Sequence, residues 1–322
     1  MHALVTGGAG FIGSHLTERI LRDGHVVTVL LKPGESEENL TGLDVRKLSC
    51  DILDKQAVID ACSGADIIYH LAARTDLEGI AMSDYEVNTR GTENVVAAAE
   101  IHGVKRLVFY SSMLAVPLTG NVQPIDEAFD DAPTTIYGQS KREGERIVAR
   151  GRIPWTVIRP TLVFGPRERS TMWAFFSAVK TRRFMLIGND VWQSFVYVKN
   201  LVEATYIASL RPEAERQVFF ISDERPYTLA EFAKTAAVAL NVQLNPVRLP
   251  KAVAMLIAYV LNVAKVWFGL QVPLTPSRVR TMTTHYAYSI DKAASLFGYR
   301  PPYDLRQSIG ETVNWYREHQ LL

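Results

Sequence analysis

The chain begins with a short apolar strand that runs directly into glycines. Met1-His2-Ala3-Leu4-Val5 leads into Thr6-Gly7-Gly8-Ala9-Gly10-Phe11-Ile12-Gly13, and a helical stretch follows. The Gly7, Gly10 and Gly13 spacing lets the turn be tight, lets backbone approach a pyrophosphate, and lets the helix pack close to the strand. The N-terminus of that helix then faces the anion. Glycines alone would also suit a purely structural turn. With a strand before them, a helix after them and the start of the chain as their place, they favour a dinucleotide site.

The rest of the first half alternates in the way such a turn requires. Runs at Ala3 to Thr6, Val26 to Leu31, Val45 to Cys50, Asp66 to His70, Arg106 to Ser111 and Trp155 to Arg159 read as strands. They are continuous rather than alternating, as expected of parallel strands buried on both faces. Helical stretches separate them at Ile12 to Asp23, Asp54 to Cys62, Asp84 to His102 and Tyr137 to Arg150. Gly24 and Gly103 stand where a helix would end in the left-handed conformation. This order predicts an α/β fold with a doubly wound parallel sheet. Later, Pro212, Pro226, Pro250, Pro273, Pro276 and Pro301-Pro302 punctuate mostly helical pieces, which predicts a smaller domain on the sheet's carboxyl edge. The expected division gives 1–164 and 191–221 to dinucleotide binding, and 165–190 and 222–322 to the substrate.

Composition narrows the class. At 322 residues and 48% hydrophobic, the chain has ample length for a core and is too apolar for disorder. A net charge of +1 supplies no basic excess for nucleic acid. Cys50 and Cys62 cannot frame a disulfide scaffold, and neither has a neighbour at metal-ligand spacing, so no metal site is expected. The start of the chain lacks the pattern of a secretory signal, and a cytoplasmic enzyme is the expectation.

Cofactor choice turns on the end of the second strand, where an acid bonds the ribose 2′-hydroxyl and a cation accepts a 2′-phosphate. Leu31 holds that position and Lys32 follows. This favours NADP over NAD, unless Lys32 is only a solvated residue beside the Pro33-Gly34 turn. Asp51, after the third strand, is the expected partner of the adenine amino group.

A second constellation lies at Tyr137-Gly138-Gln139-Ser140-Lys141, with Ser111-Ser112 ending a strand at the sheet's carboxyl edge. A Tyr and a Lys four residues apart share one helix face, though the spacing by itself is common. A free phenol, with a pKa of about 10, is a poor base near neutrality. A lysine ammonium and a bound cationic nicotinamide would lower that value. Ser112 can then hydrogen-bond a substrate oxygen while hydride passes between carbon and nicotinamide.

These motifs, together with His70-Leu71-Ala72-Ala73, Asn88-Thr89-Arg90-Gly91, Arg159-Pro160 and Phe195-Val196-Tyr197-Val198, resemble the extended short-chain dehydrogenase/reductases through nearly the whole chain. The resemblance implies a Rossmann-type sheet with a mostly helical C-terminal substrate domain. It implies Ser112 as substrate hydrogen bond, Tyr137 as acid/base, and Lys141 as tyrosine activator and ribose anchor. It also implies that Ala72, Ala73, Asn88 and Pro160 line or support the cofactor site; Phe11, Ile12, Ile52 and Leu71 complete the expected cofactor set. The expected assembly is a homodimer.

Local departures select a branch. Met113-Leu114 stand where dehydratases of the family carry an Asp-Glu pair, and they cannot move protons. Leu162 stands where epimerases place an asparagine against a sugar diphosphate, and Ala115-Val116-Pro117 replaces their Val-Tyr-Gly. The C-terminal third, with Pro273 to Val279, Thr284 to Ser289 and Lys292 to Pro301, is similar to the 3β-hydroxysteroid dehydrogenase group. Within it the likeness is to sterol 4α-carboxylate 3-dehydrogenases and 2-alkyl-3-oxoalkanoate reductases. The leading expectation is therefore redox chemistry at a secondary alcohol or ketone of a large lipid or sterol. A sugar-nucleotide epimerase that keeps its NAD is the alternative, and a non-catalytic nucleotide sensor is a third reading that the intact Ser112, Tyr137 and Lys141 oppose. His285 and Tyr286 are expected to pack a turn against the sheet. Lys199-Asn200 departs from the acidic pair usual in the family and reads as surface variation.

One segment stands apart. Ala252 to Ala264 carries no charge and is bracketed by Lys251 and Lys265. A bilayer span needs about 20 apolar residues, so the run is too short without the Val266 to Leu270 continuation. It reads as a buried core helix, as the lining of an apolar pocket, or as a helix giving peripheral membrane contact through 252–270.

Overall fold

The computed structural model describes residues 1–77, 79–268, 272 and 274–322. Pro273 and the Gly269-Leu270 end of the apolar continuation lie outside them. The first half runs β1 (His2–Thr6), α1 (Phe11–Arg22), β2 (Val26–Leu31), β3 (Arg46–Ser49), α2 (Lys55–Ala61), β4 (Ile67–His70), α3 (Glu86–Ile101), β5 (Arg106–Tyr110), α4 (Ile136–Arg150) and β6 (Trp155–Pro160). The second half continues with β7 (Leu162–Phe164), α5 (Thr171–Lys180), β8 (Met185–Ile187), β9 (Trp192–Gln193), β10 (Phe195–Tyr197), α6 (Val198–Leu210) and β11 (Gln217–Ile221). It closes with β12 (Tyr227–Thr228), α7 (Leu229–Leu240), β13 (Val247–Leu249), α8 (Lys251–Phe268), α9 (Pro276–Met282), α10 (Asp291–Phe297) and α11 (Leu305–Glu318).

Seven strands form one parallel sheet in the order β11-β6-β5-β4-β1-β2-β3. Along β1 and β5 neighbouring residues enter opposite cores: Val5 and Val108 join one, Leu4 and Leu107 the other. Helices α1 and α6 cover the first face, and α2, α3 and α4 the second. Both faces are dry, which is why these strands read as unbroken apolar runs. The exception is β3, at the sheet edge, where Arg46, Lys47 and Ser49 are exposed. An edge strand has a neighbour on one side only, so the expected burial on both faces fails there. The seventh strand, β11, was not among the strands read from the sequence, because its Phe219-Phe220 pair sits between prolines and charges that read as loop. Gly24 and Gly103 both take positive φ, at +74° and +60°.

From β1 the chain winds outward through β2 and β3 and then crosses to β4 on the other side of β1. The crevice at the carboxyl ends of β1 and β4 is therefore the topological switch point, where α/β sheets bind ligands.

Two readings of the second half need correction. Asn200 is fully buried rather than a surface variant. Its Nδ2 donates to Asp223 Oδ1 at 2.7 Å and to the Tyr303 carbonyl at 2.9 Å, and its Oδ1 accepts the Tyr303 N–H at 3.0 Å. Lys199 pairs with Glu311 at 2.6 Å. Together they tie the start of α6 to the segment leading into α11, contacts that sequence distance hides. Helix α8 is not a core helix: among its described residues only Ala254 and Ala258 are fully buried, against Ile187 and Val279, and most of the large side chains described on it face outward. Among the described residues, no helix is long and apolar enough to cross a membrane.

Candidate active site

The glycine turn is held by contacts that exclude side chains. Gly7 has φ +68°, and a Cβ there would lie 2.8 Å from Ala72 N; one on Gly13 would lie 2.1 Å from the Gly7 oxygen. Thr6 locks β1 to β4, its Oγ1 accepting the Ala72 N–H at 3.1 Å and lying 2.7 Å from His70 Nδ1. His70 Nε2 in turn lies 3.1 Å from Thr92 Oγ1, and burial holds this imidazole neutral, with its pKa down at about 3. Leu71, Ala72 and Ala73 are thus brought beside the turn. Helix α1 starts after Gly10 with no side-chain cap and no acid in its first turn. Its first N–H groups, those of Phe11 and Ile12 included, have no intrahelical partner, and the helix dipole favours an anion there. A cradle that a Cβ would fill, beside an uncapped helix start, fits a pyrophosphate.

Most of the remaining cofactor candidates follow strand ends, and Asn88 lies in the first turn of α3. Leu31 is buried and Lys32 exposed. The Lys32 N–H donates to Glu35 Oε2 at 3.0 Å, which brings an acid to this turn. Asp51 is half-buried beside buried Ile52, and its Oδ1 accepts the Leu53 N–H at 3.0 Å. Asn39 Nδ2 donates to the Ala9 carbonyl at 2.9 Å and draws the loop after β2 over the glycine turn. Asn88 is buried and spent as a brace: Oδ1 accepts the Arg74 N–H at 2.8 Å, while Nδ2 donates to the Arg74 carbonyl and to Ser140 Oγ. Pro160 is buried at the end of β6, opposite Ile221.

Ser112 follows β5, and its Oγ accepts the Leu114 N–H at 3.1 Å. Tyr137 lies in the first turn of α4, where Thr135 Oγ1 accepts the Gly138 N–H at 3.0 Å. A Cβ on Gly138 would stand 2.0 Å from the Leu114 oxygen, so only glycine lets α4 start this close to Ser112. Burial pushes the Tyr137 phenol up to about 12, and a hydrogen bond with Ser112 pulls the other way. The protein's own groups therefore raise this pKa; the expected lowering also calls on a bound cationic nicotinamide. Lys141 is buried and donates its Nζ to the Tyr110 carbonyl at 2.9 Å. Burial lowers the ammonium to about 8, opposed by Glu145 one turn along α4.

Glu145 anchors the rear of the site. Its Oε1 accepts from Ser111 Oγ at 2.5 Å and from Arg159 Nε at 2.8 Å, and Oε2 accepts from Arg159 Nη2 at 2.7 Å. This buried bidentate pair joins the ends of β5 and β6 to α4. Sequence reading passed over Glu145, although its position four residues after Lys141 on the same helix face was available as a signal. Thr6, Glu35 and Tyr85, whose ring centre is 6.0 Å from that of Tyr137, were likewise missed.

The residues that follow Ser112 enter a buried apolar cluster. Met113 and Val116 pack with Phe220, Tyr286 and Tyr288, and Leu114 and Leu162 lie against them. Tyr286 packs as expected, and His285 Nδ1 accepts the Trp192 N–H at 3.0 Å. A cleft of about 940 Å³ opens on the far side of Tyr288, lined by Asp126, Glu127, Arg225 and Lys292. Neither Ser112 nor Tyr137 lines that cleft, so its size carries no weight for the chemistry. No His, Cys, Asp or Glu cluster suited to a metal occurs among the described residues.

Residues 4–251 match the model of the 3-beta hydroxysteroid dehydrogenase/isomerase family. The chain belongs to that family. It is accordingly an NAD(P)-dependent short-chain dehydrogenase/reductase acting on CH–OH groups. The match covers the glycine turn, the Ser112-Tyr137-Lys141 group and α4 with its Glu145 brace. Relatives fall on both sides of the family's chemistry. The chain is 30% identical to 3beta-hydroxysteroid-dehydrogenase/decarboxylase isoform 2 of Arabidopsis thaliana, with 97% of this chain covered but only 61% of that protein's length. It is 27% identical, over 99% of this chain and 96% of the other, to N-acetyl-alpha-D-glucosaminyl-diphospho-ditrans,octacis-undecaprenol 4-epimerase of Escherichia coli O157:H7. Its fold is that of the Bordetella bronchiseptica enzyme WbmG, solved with NAD and UDP. That likeness has a TM-score of 0.79 at 23% identity and covers 99% of this chain and 96% of that one.

Proposed function

We propose that this family member interconverts a secondary alcohol and a ketone on a large apolar substrate, a 3β-hydroxysteroid or sterol or a related 3-oxoalkanoate. The observation that carries this reading is the apolar cluster that follows Ser112. Met113, Leu114 and Leu162 are apolar where a sugar diphosphate would need polar partners, and Tyr286 and Tyr288 are buried in the same cluster. The bound dinucleotide supplies or accepts the hydride. Ser112 orients the substrate oxygen. Tyr137, whose burial keeps the phenol protonated near neutrality, is set to donate its proton to that oxygen in the reductive direction. For oxidation the same phenol must first lose its proton, and the buried Lys141 ammonium is the cation within the motif that can favour this. With a carboxylate on the carbon next to the new ketone, the product is a β-keto acid, which readily releases carbon dioxide.

NADP is the better-fitting cofactor in this reading. No acid stands at Leu31 and Lys32 is exposed beside it, although Glu35 places a carboxylate on the same turn. Incubation with each cofactor and a 3β-hydroxysterol 4-carboxylate should change the near-ultraviolet absorbance of reduced nicotinamide. No change with either, alongside turnover of a 3-oxoacid, would discard the sterol assignment. The similarity to an epimerase of a lipid-linked sugar supports a second reading, an epimerase that retains its NAD. Copurified cofactor together with interconversion of UDP-hexoses without net redox would favour it.

A further inference from the structure

Helix α8 is built the wrong way round for a helix on a globular surface. An amphipathic helix normally buries its large apolar side chains. Here the helix rests on small residues, Ala254 and Ala258, and turns Val253, Leu256, Tyr259, Val260, Val263 and Trp267 to solvent. Leu256 is 66% exposed, Val260 63% and Trp267 78%. Helical periodicity places these residues on one face, and beyond Lys251 none of the described exposed positions of α8 is polar. Charge along the chain is just as uneven. Residues 232 to 290 contain no Asp or Glu and six Lys or Arg, in a chain whose totals are 35 and 34. Lys251 heads α8, and Arg278 and Arg280 are exposed on α9, which packs against it through Val279. Arg248, before α8, is paired with Asp190 at 3.1 Å.

We propose that the α8–α9 face docks on an anionic phospholipid surface, with α8 lying in the plane of the interface. An apolar helix face that carries a tyrosine at mid-length and a tryptophan near its end and is flanked by cations matches the layered chemistry of such a surface, acyl chains beneath acidic headgroups. A second copy of this chain matches it less well. A two-fold contact sets the same patch against itself, which would oppose the cation rim to an identical rim with no acid between 232 and 290 to meet it. The place in the fold gives the contact a use. From α9 the chain passes through Thr281, whose carbonyl accepts from Gln193 Nε2 at 3.0 Å, to Tyr286 in the apolar cluster. The docking face is thus joined through α9 to the apolar cluster beside Ser112.

The test is flotation of the full chain with phosphatidylcholine vesicles, with and without phosphatidylserine. Binding should be stronger on the anionic vesicles by on the order of tenfold or more, and should weaken with salt. Leu256→Glu with Val260→Glu should abolish flotation while dinucleotide binding and the thermal transition persist. Should that pair fail to fold, Arg278→Glu with Arg280→Glu, on the exposed rim, should remove the anionic preference alone. Failure to float on either vesicle, or equal recovery on both, would overturn the proposal. A dimer in solution that Leu256→Glu breaks would overturn it as well, and would assign the face to a second copy. None of these outcomes depends on which substrate the enzyme takes.

Discussion

Two helix starts in this protein are built in opposite ways. At α5, buried Glu168 turns its carboxylate into the first turn and accepts N–H groups from Ser170, Thr171, Met172 and Trp173 at 2.9 to 3.1 Å. At α1 there is a glycine, no cap and no acid, and the space where a side chain would stand is taken by backbone. The protein therefore carries its own anion where a helix start serves the fold, and leaves the position bare at the sheet's switch point. The same contrast recurs on a larger scale. The half holding the glycine turn pairs the buried polar groups around its site, Thr6, His70, Asn88 and Glu145, whereas the α8 side leaves an apolar face uncovered.

The largest effect should come from the chemistry beside the bare helix start. Tyr137→Phe should lower the catalytic rate by roughly 10²–10⁴-fold, the usual worth of an acid/base group, with dinucleotide affinity nearly unchanged in a fluorescence titration. A loss of affinity to match would mean that Tyr137 acts mainly in binding. Next, Glu168→Ala should strip α5 of its internal anion and lower stability by on the order of 3 kcal/mol in denaturant unfolding. A change within the usual surface range of about 0.5 kcal/mol would break the contrast between the two helices. Gly10→Asp probes the other side. Its Cβ would stand 3.2 Å from the Gly7 oxygen, a crowding that offsets the few tenths of a kcal/mol a cap brings. Stability should therefore not rise, while dinucleotide binding should weaken at least about tenfold as a carboxylate enters where the pyrophosphate belongs. Binding that survives this change would place the anion elsewhere.

The smallest effect concerns a buried carboxylate less well served than Glu168. Asp223 accepts from Tyr197 N and Asn200 Nδ2 through Oδ1, while its Oδ2 has no hydrogen-bond partner. Burial raises its pKa to about 7 from 3.8, against the pull of those two donors. The folded protein therefore holds a proton that the unfolded chain releases between about pH 4 and 7, so this group's contribution to stability falls as pH rises through that window. Asp223→Asn should remove that decline, leaving a flatter stability profile than the parent's. Parallel profiles for the two proteins would refute the assignment.

Much of the nucleotide half was legible because its signals are local. Glycines at fixed spacing, apolar runs and a Tyr-Lys pair on one helix face each reflect constraints within a few residues. The missed features are long-range. The brace of Glu145 on Arg159 and Ser111 joins three elements, and Asn200 meets Asp223 and Tyr303 only once β10, β11 and the approach to α11 come together. Tyr137 illustrates the same limit in energetic terms. Its reactivity was argued from neighbours in sequence, but burial is a property of the whole fold, and burial sets the direction of its pKa.

By itself, then, the sequence determined the sheet class and the places of the glycine turn and of the helix carrying Tyr137 and Lys141, since backbone geometry and helix periodicity leave little choice there. It also determined that Ala252 to Ala264 would be apolar and uncharged. Only the tertiary structure decided which way that helix faces. Composition dictates how much apolar surface a segment carries, but whether that surface is covered depends on its neighbours, and here Ile187 and Val279 pack on Ala254 and Ala258 while Leu256, Val260 and Trp267 stay exposed.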